Sequence, residues 1–551
     1  MTRRGHLATL ALFVALAIVH TWPLAAAPGR YWLNTGDYKL NAWALGWIAH
    51  QLPRDPAALF HANIFHPEKW TLAFSEHLLP QAVFAVPVIW LGGTPHAGYN
   101  ISLIAGFALT GWATAVVIAR WTGNAYAGVL AGCVAAFNAR SMTGFAHLQS
   151  LHVMYLPLAL LALDRLLVAA RPRHAVATGV LLALQALTSS YWVVYAALAA
   201  TVASIVRLPE WWPWRRSASP GPSFRRLALL IAAAAIAVVV LAPVLYPYWQ
   251  VRQAHDFKRP MRDAAMYSAS AADFLRGSSH LHLAMAREFG PSRRNAKGWL
   301  FPGFTALALT GVAVGAGAFW RDRRARMLFT IGVAGVILSF GPSTPLYRWL
   351  YDIGLLQNMR VAVRFSALMF VGVSGLAGFG LALVMGWRRV SPSRGLRIAV
   401  GVSAILLVNA EALRAPIRWN EFREVSPVYR ALAGIPDAVI AEIPFYPPRF
   451  RFRNSVYFPA ATVHWKPMVN GYSGFLPMSY IHLWNAGMER FPSRRALAAL
   501  RGVGVTHLVV HRDRLGRRAG LHIRRLEGTG EVDLLVSDAN VRLYRILAPS
   551  E

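Results

Sequence analysis

Cysteine is almost missing from this chain, and carboxylates are scarce. The one cysteine, Cys133, lies inside an apolar run, so neither a disulfide framework nor a cysteine-built metal site can form within a single chain. Aspartate and glutamate number 24 against 56 lysines and arginines, and the formal net charge is +32. Lysine appears only at Lys39, Lys69, Lys258, Lys297 and Lys466, so the excess is arginine. A nucleic-acid surface would gather that charge on one face, whereas here it punctuates apolar stretches, as attraction to anionic lipid would have it. The apolar stretches are nearly free of acids, with Asp164 and Glu411 at their ends. That is poor material for a proton- or sodium-driven carrier, which keeps ionisable groups inside its bundle. There is no Gly-rich nucleotide loop and no His-Glu-x-x-His metal spacing, and no strong internal repeat of the kind inverted-repeat transporters carry.

Apolar sequence is what the chain has in plenty. It is 56% hydrophobic and 15% charged, with a mean hydropathy of +0.39, the signature of an integral membrane protein with one soluble module. Arg3 and Arg4 precede an apolar run to Ala27. Its length and the outer-edge Trp22 and Pro23 favour a retained span over a cleaved signal, although Ala25 to Ala27 would suit cleavage. Residues 28–77 then form a large first external loop. The apolar piece 78–91 is shorter than the roughly twenty residues a crossing needs and holds Pro80 and Pro87, so it is expected to be re-entrant or interfacial.

With that piece not crossing, spans fall near 99–119, 124–139, 151–168, 175–189, 192–206, 227–245, 299–319, 327–341, 365–386 and 396–413. The arginine-bearing connections at Arg120, Arg171 to Arg173, Arg207 to Arg226, Arg321 to Arg326 and Arg388 to Arg397 then lie inside with Arg3 and Arg4. Letting it cross would put most of them outside, against the positive-inside rule; the basic loop 246–298 is long, where that rule weakens. The expectation is a polytopic α-helical membrane protein with about eleven spans, amino end inside and carboxyl end outside. Residues 1–413 make the transmembrane domain. Residues 414–551 read as a small α/β domain, with strands at 437–445, 505–511 and 531–547 and a helix at 493–501,.

This orientation sorts the polar residues. Asp37, Lys39, Glu76 and His77 fall in the first external loop, Arg140 and His147 in the second, and Tyr191 in the third, with Asp256, Lys258, Arg259, Arg360 and Arg364 also outside. Asp37 reads two ways: as a solvated loop acid ahead of an aromatic belt, or as a proton acceptor partly desolvated by Trp43 and Trp47. The arginines suit phosphate, or equally lipid headgroups. The segment His464 to Pro477, rich in Gly, Pro and aromatics, reads as a loop packed on the membrane mouth or as a structural turn.

Several short motifs together resemble the bacterial YfhO-like group of the GT-C glycosyltransferase superfamily. They are Gly36-Asp37 in the first external loop, the short non-crossing helix, Asn138-Ala139-Arg140 followed by His147, Arg360 to Phe365, and Pro467 to Phe475. The resemblance implies inverting transfer of a sugar from a polyprenyl-phosphate donor to a cell-envelope glycan, lipid or protein at the outer face of the bacterial cytoplasmic membrane. The superfamily often shows a tandem acidic pair in the first loop; residue 36 here is glycine, so only Asp37 carries over. On this reading Asp37 is the base, with Glu76 as a second acid orienting hydroxyls. Arg360, Arg364 and Arg140 hold the donor phosphate, and Lys39, Trp43, His77, His147 and Tyr191 contact substrate. No metal or other cofactor is assigned. A lipid-linked-sugar flippase or exporter and a non-catalytic membrane scaffold are the competing classes.

Overall fold

The structure, a computed structural model, describes residues 2–212, 221–255, 260–289, 298–390 and 392–548. Asp256, Lys258 and Arg259 lie outside the described residues. The chain divides into two compact units.

The first unit, Met1–Ala27, Ile101–Leu245 and Phe257–Arg418, is helical. Every expected span contains a helix, from Arg3–His20 through Ser366–Met385 to Arg394–Ala412. Among the described residues, six helices are long and apolar enough to cross a membrane by length and composition, so this is a multi-pass membrane protein. Others fall short of the expected crossings: Ala125–Ala136 and Phe304–Gly315 have 12 residues each, about 18 Å of helix against ~30 Å of hydrocarbon. Length alone therefore does not give the expected span count. Small residues let the helices close up. A Cβ on Gly372 would lie 2.7 Å from the Gly332 Cα, and one on Gly335 2.5 Å from the Met369 backbone nitrogen. Helices Arg323–Ser339 and Ser366–Met385 thus touch backbone to backbone. Exposed Val238, Val239, Leu406 and Leu407 form the apolar outer surface that lipid would cover.

The acids at span ends, read from the sequence only as peripheral, are structural. Arg207 has a fully buried side chain and donates to Asp164 at 2.5 Å and to Glu210 at 2.5 and 2.9 Å. Arg324 reaches the second Asp164 oxygen at 3.0 Å. Glu411 accepts the backbone N–H groups of Phe304 and Thr305, satisfying the first turn of helix Phe304–Gly315 from a neighbouring helix. His282 bonds the same carboxylate at 3.0 Å.

The second unit comprises Pro28–Asn100, Tyr246–Asp256 and Trp419–Glu551. The sequence division at 413/414 separated the first loop from the carboxyl-terminal segment, whereas the compact unit contains both. The physical reason is backbone pairing. Strand β1 (Tyr31–Trp32) is antiparallel to β2 (Asn420–Glu421). A four-stranded sheet has the order β3 (Ile440–Ile443), β4 (His507–His511), β6 (Val541–Ile546), β5 (Val532–Ser537), with β3 and β4 parallel and the other pairs antiparallel. The sequence stretch 531–547 forms two strands, of which β5 is an edge and β6 is enclosed between β4 and β5. Helix Arg494–Gly502 begins where Ser493 Oγ accepts the Ala496 N–H at 3.2 Å,.

The first loop is itself folded. Thr35 caps helix Gly36–Gln51 by accepting from Tyr38 N, and this helix is buried over most of its circumference. Apolar residues all round leave no one-sided 3.6-residue stripe to reveal it in the sequence. The expected non-crossing piece is helix Leu79–Trp90.

Replacing Arg207 by Met takes the nearest cation from Asp164 and Glu210 and leaves them the more distant Arg324 and Arg323. A loss of about 3–5 kcal/mol is expected, read as a lower unfolding temperature of the detergent-solubilised protein. Arg388→Met, at an exposed position, should change stability by less than about 0.5 kcal/mol.

Candidate functional site

Asp37 stands in the first turn of helix Gly36–Gln51, where the positive helix end favours a carboxylate. It is half-buried, and its Oδ1 accepts the Tyr472 hydroxyl at 2.7 Å. The close approach of that ring depends on Gly36. A Cβ there would meet Tyr472 Cε1 at 3.2 Å and Ser455 Oγ at 3.3 Å, so a second acid at this position has no room without moving both.

Tyr472 is positioned by the segment that reads as a loop in the sequence. Its backbone runs beside β3, with Ile440 N donating to Pro467 O at 2.9 Å and Val469 N to Ile440 O at 3.0 Å. The Asn470 side chain clamps both backbone groups of Glu442 at 2.7 and 3.0 Å. The same segment ties in the first loop, through Phe65 N to Asn470 O and His66 N to Met468 O. Two residues past Tyr472, a Cβ on Gly474 would touch Phe74 O at 3.0 Å. One stretch of backbone therefore reaches both the Asp37 turn and the chain leading into Glu76. Glu76 is buried, and Tyr248 donates to the Ser75 carbonyl beside it at 2.7 Å. His77 packs edge-on to Phe60 and Tyr248 and accepts the Leu79 N–H through Nδ1. Burial pushes its imidazole down to about 4, so it is neutral near pH 7.

Trp43 and Trp47 are core residues and not an interfacial belt. Trp43 donates to Asn63 at 3.1 Å and stacks on Phe458 at 5.1 Å, while Trp47 donates to Leu59 O at 2.8 Å. Lys39 is buried, with its ammonium 5.1 Å above the Trp32 ring. Burial and then Arg514 push it down to about 8.

The arginines belong to the first unit. The sequence spacing puts Arg360 and Arg364 on one helical face, but the backbone there is a 3-10 turn, Ala362–Phe365, entered from non-helical Val361. The two guanidiniums consequently find different partners. Arg360 lies over Tyr267 at 4.7 Å and donates to its hydroxyl at 2.7 Å; Arg364 lies over Tyr191 at 4.8 Å. Arg140, in the short helix Ala139–Thr143, groups with Arg364 through electrostatic contact with it and with Tyr195. Burial lowers its guanidinium to about 10, with Tyr195 opposing and Arg364 adding to the shift. Tyr191, Tyr195, Arg140 and Arg364 thus make one cluster, with Arg360 and Tyr267 a separate pair. His147 caps the turn Leu148–Ser150, its carbonyl accepting from Ser150 at 2.8 Å.

The residue-level reading of the sequence missed Tyr472, Tyr195 and Tyr267. It also missed a buried triad in the sheet: Glu442 on β3 accepts from Tyr429 at 2.9 Å and pairs with His511 on β4 at 2.8 Å. The available signal was a lone acid inside the otherwise apolar strand Ile440–Ile443. Among the described residues, no group of three or more His, Cys, Asp or Glu is placed to hold a metal ion.

The sequence matches no protein-family model and no curated protein. Solved structures share its fold. Arabinofuranosyltransferase AftD from Mycobacteria aligns over 100% of this chain and 40% of its own, at 16% identity and a TM-score of 0.63. The chain therefore spans well under half of AftD. ArnT from Cupriavidus metallidurans, solved bound to undecaprenyl phosphate, aligns over 98% of this chain and 99% of its own, at 13% identity and a TM-score of 0.51. The chain shares the fold of these two structures.

Two outcomes test the local geometry. Gly36→Asp should cost about 1–3 kcal/mol in thermal unfolding, and Gly36→Asp with Tyr472→Ala should recover part of it. Lys39 releases its proton at about pH 8 in the folded protein, against an ordinary 10.5 in the unfolded chain. Between these values the unfolded state binds more protons, so stability rises with pH across that window. Lys39→Met should remove this rise from the pH dependence of the unfolding temperature.

Proposed function

We propose that this chain is an inverting glycosyltransferase that moves a sugar from a polyprenyl-phosphate donor to an acceptor at the outer face of the bacterial cytoplasmic membrane, within the YfhO-like group. The observation that carries this reading is the chain-long fold match to AftD, joined to a half-buried Asp37 that Tyr472 holds in one orientation. The undecaprenyl phosphate bound by ArnT supports a lipid phosphate as the donor's leaving group. The same reading puts the amino end inside and residues 28–77 and 414–551 outside.

Asp37 takes the proton of the acceptor hydroxyl as that oxygen attacks the anomeric carbon, and the phosphate oxygen leaves from the opposite face. Phosphate is a good leaving group, so one carboxylate suffices, with Glu76 orienting hydroxyls. Tyr472 orients the Asp37 carboxylate. Arg364 and Arg140, grouped at the Tyr191 and Tyr195 rings, bind the phosphate as charge develops on its departing oxygen, with Arg360 held at Tyr267 as a further donor. A pair of guanidiniums sharing aromatic neighbours repels itself, and the phosphodiester's single charge, joined by a second as the sugar leaves, relieves that repulsion.

Transfer from a panel of radiolabelled polyprenyl-phosphate sugars is measured in membranes bearing wild type, Asp37→Asn or Arg364→Ala. Wild type should move label, Asp37→Asn should lower the rate by roughly 10²–10⁴-fold, and Arg364→Ala should raise the donor KM about tenfold. Full activity of Asp37→Asn would remove it from the base role. Lipid that changes leaflet without losing its sugar would mark a carrier instead.

A further inference from the structure

A cavity of about 310 Å³ opens within the second unit, lined by Trp32, Lys39, Trp43, Phe458, Glu424 and Arg430 among others. Its size is within the ~300–1,000 Å³ of small-ligand sites. Lys39 is only 8% exposed, and among the described residues it makes no ion pair; its nearest charged influence is another cation, Arg514. A buried ammonium without an anion is costly. The Trp32 face at 5.1 Å returns part of that cost, and the depressed proton affinity of Lys39 shows that it does not return all of it. Trp43 and Phe458, also in the wall, stack on each other at 5.1 Å and are each 1% exposed, so they close the inner side of the cavity with apolar ring edges. Thr94, Ser426 and Thr462 put hydroxyl-bearing residues in the lining, the mix of apolar wall and few polar groups that suits a polyol ring. Asp37 does not line this cavity.

We infer that this cavity binds an anion-bearing sugar ring, its carboxylate or phosphate on Lys39 and its ring within the apolar and hydroxyl-bearing lining. Arg430 adds a second cation at the exposed rim, and Glu424 there opposes it. The inference rests on the transferase reading for its role, which is to hold an acidic sugar unit of the acceptor; the binding itself does not depend on that reading.

The test uses the full chain in nanodiscs. At pH 8 Lys39 is about half deprotonated and open to acetylation by trace acetic anhydride, where an ordinary lysine is under about 1% deprotonated. Peptide mass spectrometry reads its labelling rate with glucuronate, glucose 6-phosphate, inorganic phosphate or glucose present. Glucuronate or glucose 6-phosphate should slow labelling at least about fivefold, and glucose and phosphate should not. The probe that protects tells a carboxylate from a phosphate ligand. Equal protection by glucose, protection by inorganic phosphate alone, or no protection overturns the inference.

Equilibrium dialysis supplies the variants. Lys39→Gln should weaken binding of the protective probe about tenfold or more, with Lys39→Arg retaining most of it. Glu424→Gln, at an exposed position, should tighten binding severalfold, an outcome that misfolding cannot produce, and unchanged or weaker binding counts against the site. Asp37→Asn separates the two claims, since it should bind the probe like wild type while losing transfer. A wild type that transfers no sugar yet shows Lys39 protection ends the transferase reading alone; transfer without protection ends only this site.

Discussion

Asp164 takes Arg207 at 2.5 Å and Arg324 at 3.0 Å, where either ion alone would cost several kcal/mol to bury. The same constraint governs the chain's other inward-facing acids. With 24 carboxylates to 56 lysines and arginines, several of the acids drawn inside carry a structural task. Glu411 holds a helix end and a histidine, and Asp273 caps the turn that starts at Ser270. Glu442 is shared between Tyr429 and His511. The scarcity has a complement: cations exceed the acids available to neutralise them, and some buried or half-buried cations lean on aromatic rings. Lys39 over Trp32, Arg360 over Tyr267 and Arg364 over Tyr191 are those cases. A ring's quadrupole returns only a kcal/mol or two, which leaves such a cation ready for an anionic ligand in a way that a carboxylate partner would not.

How far the sequence reveals this depends on the range of the interaction. Helices in the first unit were legible because twenty apolar residues between arginines have few other uses, and each expected span does contain a helix. Helix Arg494–Gly502 and strands β3 and β4 were legible from a capping serine and from short apolar runs. What escaped were elements defined by distant partners. Helix Gly36–Gln51 hides its period because nearly all its faces are buried. Strands of two residues, such as β1 and β2, exist only because each pairs with the other. The turn at Ala362–Phe365 is joined to distant sequence by Val363 N bonding Tyr267 O, so the helix that would have put Arg360 and Arg364 on one face does not form there.

The candidate base was legible as a residue but not as a site. Asp37 stood out as an acid at an expected membrane face, yet the residue that orients it is 435 positions away. Tyr472 does lie in a segment whose glycines and aromatics were conspicuous. Those features now have causes: Gly471 gives room to the Phe65 ring, and Gly474 lets the backbone reach Phe74 O. The departure from a tandem acidic pair has one as well, since the space a side chain at residue 36 would need is taken by Tyr472 and Ser455.

One helix then carries two opposite charges without letting them cancel. Residues 37 and 39 are two apart, and at about 100° per residue their side chains leave the helix on nearly opposite sides. Lys39 and Trp43, four apart, share a face, and both line the cavity. Had the lysine stood at residue 40 or 41, it would have met Asp37 across one turn, and an ion pair would have occupied both groups. The spacing keeps the carboxylate with Tyr472 and the ammonium with Trp32. A carboxylate and an ammonium thereby coexist within one turn of the same helix, each with its own partner.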